Sequence, residues 1–151
     1  MTHEFEQLED AALAALAPLK TAVGIRTIEP YAGQLEVDDI HRITIRFPCV
    51  YVIADGMKVS RRNNAEECVI SMMLLIGDKN YRSNQAAARG DASTPGVYEI
   101  LKAARDVLHR KKLLPLWVPA VLISEEPQVY QPVNGLCLYT AVYEVRIHRK
   151  L

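Results

Sequence analysis

Between Thr94 and Lys112 apolar side chains recur with the period of a helix face, and this stripe constrains the fold more than any other segment. Val97, Ile100, Leu101, Ala104, Val107 and Leu108 fall at i, i+3, i+4 and i+7 spacings, while Glu99, Lys102, Arg105, Asp106 and His109 take the opposite side. The flanking residues predict both ends. Thr94 can accept a hydrogen bond from a first-turn N–H, Pro95 suits the first helical position, and Glu99 lies near the positive end of the dipole. His109, Arg110, Lys111 and Lys112 crowd the last turn, and Pro115 prevents a long continuation. A helix with one apolar stripe needs a flat apolar partner, so the rest of the chain must supply a sheet.

That sheet can be read from the other segments. A first helix carries Phe5, Leu8, Ala12, Leu13, Ala15, Leu16 and Leu19 on one stripe, with Glu4, Glu6, Glu9 and Asp10 at its favourable end, and Pro18 ends or kinks it. Val23 to Glu29 reads as a short strand, followed by a turn at Pro30-Tyr31-Ala32-Gly33. From Gln34 to Arg46 the period is mixed: Val37, Ile40 and Ile43 suit a short helix from near Glu36, the expected form, and Ile43, Ile45 and Phe47 suit a strand as the alternative. Val50 to Ile53 runs into Asp55-Gly56, a pair suited to a two-residue hairpin turn, so Met57-Lys58-Val59 is expected to return beside it. After a polar break at Arg61-Arg62-Asn63-Asn64, Glu67 to Ile76 is apolar on both faces and reads as a central strand covered on both sides. Gly77 to Ser93 is expected to be a long polar loop. Val118 to Ile123 predicts a strand broken at Glu125-Glu126-Pro127, a further extended piece at Val129-Tyr130, a turn at Asn134-Gly135, and a last strand alternating from Leu136 to Ile147. The expected fold is α+β: a mixed, mostly antiparallel sheet with the N-terminal helix and the main helix packed on it.

At 151 residues the chain is expected to form one domain, residues 1–151, able to bury about two-thirds of its unfolded surface. Its 18 basic side chains balance 18 acidic ones. Zero net charge disfavours generic nucleic-acid binding, which relies on a basic excess, and favours self-association. The acidic N-terminus lacks a secretory pattern and no run approaches the ~20 apolar residues of a membrane span, so no membrane partner is expected. Cys49, Cys68 and Cys137 are odd in number, widely spaced and set in apolar sequence, which predicts buried thiols.

The polar clusters carry little chemistry. Asp38-Asp39-Ile40-His41 mixes carboxylates with imidazole, but no second cluster at ligand spacing accompanies it. Glu66-Glu67 and Glu125-Glu126 flank strands, where acidic residues also protect an edge. Ser60, Ser71 and Ser93 lack the glycine framing of a nucleophile elbow, and the glycines match no phosphate loop or dinucleotide fingerprint. Arg89-Gly90-Asp91 reads as a polar loop tip, and His109 to Lys112 as cations at a helix C-terminus. No catalytic, metal or cofactor site is expected, and the chain is not expected to be an enzyme.

Pro30-Tyr31-Ala32-Gly33-Gln34, Phe47-Pro48-Cys49-Val50-Tyr51-Val52, Gly96-Val97-Tyr98-Glu99-Ile100-Leu101 leading to Leu108, and the tyrosine-bearing last strand together resemble the small tail-region proteins of Mu-like phages and prophages. Such proteins look like tail terminators. The resemblance implies a helix-on-sheet subunit that assembles into a hexameric ring, caps the tail tube and meets the head–tail connector protein, in the host cytoplasm during assembly and in the virion tail afterwards. Its implied partners are further copies of itself, the tail tube protein and the connector, with no cofactor. Candidate contact residues are Asp55 and Gly56 at the expected hairpin, and Lys79, Tyr81, Arg82, Arg89 and Asp91 in the loop before the main helix. The alternatives are a small nucleic-acid or ligand binding module, and an unrecognised enzyme.

Overall fold

The apolar run around Ile70 does lie at the centre of a sheet in the computed structural model, which describes residues 2–33, 45–80, 83–128 and 135–150, the side chains of residues 84 and 150 aside. In chain order the elements are α1 (Glu4–Leu16), α2 (Leu19–Ala22), β1 (Thr27–Pro30), β2 (Cys49–Arg62), β3 (Ala65–Lys79), α3 (Asn84–Arg89), α4 (Val97–Leu108), β4 (Val121–Pro127) and β5 (Leu136–Lys150). The strand order is β1-β2-β3-β5-β4, with β1 parallel to β2 and all other neighbours antiparallel. This is the expected α+β architecture.

Alternation places Cys68, Ile70, Met72, Leu74 and Ile76 of β3 on one face, and all five are fully buried. They pair with Ile147, Val145, Tyr143, Ala141 and Tyr139 of β5 on one side, and Val50 and Val52 extend the face into β2. Leu8, Ala12 and Leu16 of α1 join this core, as do Val97, Ile100, Leu101, Ala104 and Leu108 of α4. Burying each Leu or Ile of this kind contributes about 1.5–3 kcal/mol, so the two helical stripes are the main source of sheet–helix cohesion. The opposite face of β3 departs from expectation: Val69, Ser71, Met73 and Leu75 are only half-buried, so the described residues cover that face incompletely. The three thiols are buried and free, as expected.

Several boundaries differ from the sequence reading. Asp55-Gly56 is a bulge, not a hairpin turn. Ala54 stands opposite Met72 and Met57 opposite Ile70, so two β2 residues face Ser71 alone, and the φ of 102° at Gly56 kinks the strand without reversing it. Met57-Lys58-Val59 therefore continues β2, and the reversal falls at Asn63-Asn64, where Asn63 adopts a φ of 53°. The main helix is shorter than Thr94 to Lys112. Gly96 caps it, Pro95 precedes it, and the Thr94 hydroxyl accepts from Asn80 Nδ2 at 3.2 Å instead of capping. At the far end Arg110, at a φ of 61°, turns the chain, and the backbones of Arg110 and Lys111 pair with Ala120. The expected loop from Gly77 holds the end of β3 and a capped helix, α3, whose Ser83 hydroxyl accepts from the Gln85 and Ala86 N–H groups. Pro18 does end α1, but it opens the short α2, and the strand expected from Val23 starts only at Thr27. Glu125-Glu126-Pro127 belongs to β4, where pairing with β5 overrides the local breakers. Most of the expected helix between Gln34 and Arg46, with Asp38, Asp39 and His41, lies outside the described residues, as do Val129, Tyr130 and Asn134.

Candidate functional site

A buried carboxylate organises the entrance to α4. Asp78 continues the core-facing parity of β3 beyond Ile76 and is fully buried, as is nearly all of Asn80. Asp78 Oδ2 accepts from the Gly96 N–H at 2.8 Å and Oδ1 from the Lys79 N–H at 2.7 Å, which sets a negative group at the positive end of α4. Burial pushes the Asp78 carboxyl above the ordinary carboxylate range, against the lowering effect of those two hydrogen bonds. Asn80 Nδ2 reaches Asp91 Oδ2 at 2.8 Å, while Asp91 Oδ1 accepts from Ser93 and Thr94 N–H groups. The Ser93 hydroxyl and backbone, with Asn80, hold the Asp91 carboxyl well below its usual range. Gly90 and Gly96, both at positive φ, pack back to back, leaving no room for a side chain on either. Arg89-Gly90-Asp91 is thus a folded turn whose aspartate is engaged, and not a free tip.

The sheet ends in two unlike margins. Beside β2, Tyr31 N–H donates to Val52 O and the Glu9 carboxylate takes the Ala54 N–H at 2.8 Å. From Met57 to Arg62 no strand of the described residues lies on that side, and Lys58, Arg61 and Arg62 are exposed there. At the other margin His109 Nδ1 accepts from the Leu122 N–H at 2.9 Å, covering the start of β4 and leaving its remainder from Ile123 without a strand partner among the described residues. The β2–β3–β5 end also holds a shallow cavity of about 410 Å³ lined by Ser60, Arg62, Glu67, Arg146 and His148. On α4, exposed Tyr98 meets Tyr139 edge-to-face at 5.7 Å, with the hydroxyls 3.5 Å apart.

The candidate contact residues separate into two groups. Asp55 and Gly56 are exposed at the β2 bulge, while Lys79, Arg89 and Asp91 cluster around the Asp78 turn, about seven residues or ~23 Å away along β3. Lys79 also borders a cavity of about 400 Å³ with Arg26, Arg46 and Pro95. Tyr81 and Arg82 lie outside the described residues. The acidic pairs stay apart: Glu66 neighbours Arg149 and Glu126 neighbours Thr140, nine positions or ~30 Å away on β5. Each has local cations instead, Glu66 with Arg61 at 2.8 Å, Glu67 with Arg146 at 3.1 Å and Glu125 with Arg105 at 3.2 Å. Among the described residues no three His, Cys, Asp or Glu side chains are grouped to hold a metal ion, and no helix is long and apolar enough to cross a membrane. No motif marks Asp78, although its even parity with Cys68 to Ile76 points it into the core. The opposition of the β2 cations and the β4 carboxylates was missed because sequence order does not reveal which strands form margins.

Against known families, the pattern described as Bacteriophage Mu, Gp37 matches residues 4–139. No curated protein matches the chain.

Proposed function

The chain belongs to the bacteriophage Mu Gp37 family, and on that premise we propose that it is a structural tail protein: a tail terminator whose copies form a ring, hexameric in order, that caps the tail tube and receives the head–tail connector. It works by surface contacts, without catalysis or cofactor. The family match over nearly the whole chain carries this reading. The two unlike sheet margins support it, since a ring protomer joins its neighbours head to tail through two different surfaces. Arg89, exposed beside the turn that opens α4, offers a third surface for the tube.

Native mass spectrometry of the full chain, alone and with its tail tube protein, tests the proposal. A discrete ring, formed alone or on adding tube, is the expected outcome. A strict monomer that ignores the tube, or one that binds oligonucleotide instead, overturns it.

A further inference from the structure

We infer that the two sheet margins meet between copies of this chain, the edge of β2 from Met57 to Arg62, unpaired among the described residues, adding as a strand to the edge of β4 from Ile123 to Pro127, unpaired likewise. This deepens the ring reading and rests on it.

Among the described residues, three of the five large apolar side chains that stand exposed lie on these strands: Val59 at 45%, Val121 at 43% and Ile123 at 51%. A margin with unpaired backbone groups and exposed branched side chains is a template for another strand. The charges choose the occupant. Exposed Lys58 and Arg62 make the β2 margin basic and exposed Glu126 makes the β4 margin acidic, while Arg61 and Glu125 are held by Glu66 and Arg105. Each margin therefore repels itself and attracts the other, which excludes a two-fold pairing of like edges and leaves a head-to-tail contact.

Strand direction agrees. β2 and β4 run oppositely within one copy, because three successive antiparallel pairings separate them. Rotation about an axis keeps that relation, so β4 of one copy meets β2 of the next antiparallel, the stronger of the two ladders. The step along the strands is also suitable. Ser124 stands level with Ile53 through Val142 and Met73, whereas the free β2 edge centres near Ser60, about 20 Å further along at ~3.3 Å per residue. Each copy contributes four strand spacings of ~4.8 Å across the ring, so the strands incline at roughly 45°, the upper end of the tilt found in closed sheets. β1 covers Cys49 to Val52 and the incoming β4 covers the distal half, so one long strand serves both neighbours. Pro127 removes one donor and His109 covers Leu122, which confines the contact to a short register window.

The test uses charge reversal in the full chain. One variant carries Lys58→Glu and Arg62→Glu, the other Ser124→Arg and Glu126→Arg, all on the sheet face away from the core. Each alone should lose assembly by at least about tenfold in concentration, since like charges then face each other, with thermal melting matching wild type at concentrations too low for either to assemble. Mixed in equal amounts they should assemble again as an alternating ring, because every junction regains one basic and one acidic margin. Full assembly of either variant alone, or no recovery on mixing, overturns the inference while a wild-type ring keeps the terminator reading. A wild type that stays monomeric even with tube overturns both. Should a variant fold poorly, Ser60→Cys with Ser124→Cys in the wild-type background decides: a bismaleimide should give a ladder of covalent oligomers, and exclusive monomer refutes contact of the margins.

Discussion

Replacing Asp78 by alanine should destabilise the protein by about 2–3 kcal/mol, because the Gly96 N–H then sits in the interior with no acceptor and α4 loses the negative group at its start. For a chain of 151 residues that corresponds to a melting temperature roughly 5–10 °C lower. Asp78→Asn keeps an amide oxygen for Gly96 but turns an NH2 donor toward the Lys79 N–H, so at pH 7 it should fall between wild type and the alanine variant, about 1–2 kcal/mol below wild type. The sign of the pH dependence separates the roles of geometry and charge. Burial raises the folded carboxyl above its ordinary value, so the folded protein holds that proton more tightly than the unfolded chain. The associated stability is complete below the unfolded value of about 4 and is lost as pH rises through the folded one. The stability of wild type relative to Asp78→Asn should therefore be greatest near pH 4 and decline toward neutrality, a difference in which the other titrating groups cancel. Urea unfolding of the three proteins from pH 4 to 8 measures it. An alanine variant as stable as wild type would refute the assigned hydrogen bond, and a wild-type advantage over Asp78→Asn that grows toward neutral pH would refute the buried, raised carboxyl.

Gly96→Ala should cost about 3–5 kcal/mol, since the added carbon meets the Gly90 nitrogen and the Arg89 carbonyl carbon at a backbone φ of 82°; a thermal melt unchanged by the substitution would contradict the back-to-back packing. Burial pushes the Cys49 thiol up to about 12 and the Cys137 thiol up to about 11. Neither should react with iodoacetamide at pH 8 in the native protein, while both should label within minutes in denaturant, as read by intact mass.

Local rules settled whatever a short window of chain decides by itself. The stripe from Val97 to Leu108, the alternation around Ile70 and the last strand through Tyr143 were legible because burial of one face imposes a period, and period survives whatever packs against it. The family resemblance was equally legible, being carried by segments that stand in order along the chain, and the match over residues 4–139 bears it out. Asp55-Gly56 shows where local reading stops. A pair with positive φ suits a hairpin turn or a bulge equally, and only the ladder between Met57–Arg62 and Ala65–Ile70 chooses the bulge. Thr94 is a sound cap by type, yet a residue 18 positions before Gly96, Asp78, takes that N–H because β3 delivers it there. Glu125-Glu126-Pro127 reads as a breaker until β5 pairs with it. The same limit hides the margins. Lys58, Arg61 and Arg62 are ordinary surface cations, and Glu126 an ordinary carboxylate, until the strand order puts the first three on one edge of the sheet and the last on the other. Composition and periodicity determined that this chain is a helix-covered sheet with no net charge; tertiary pairing alone decided which strands lack a neighbour among the described residues, because an edge is defined by the absence of a long-range partner that no local pattern encodes.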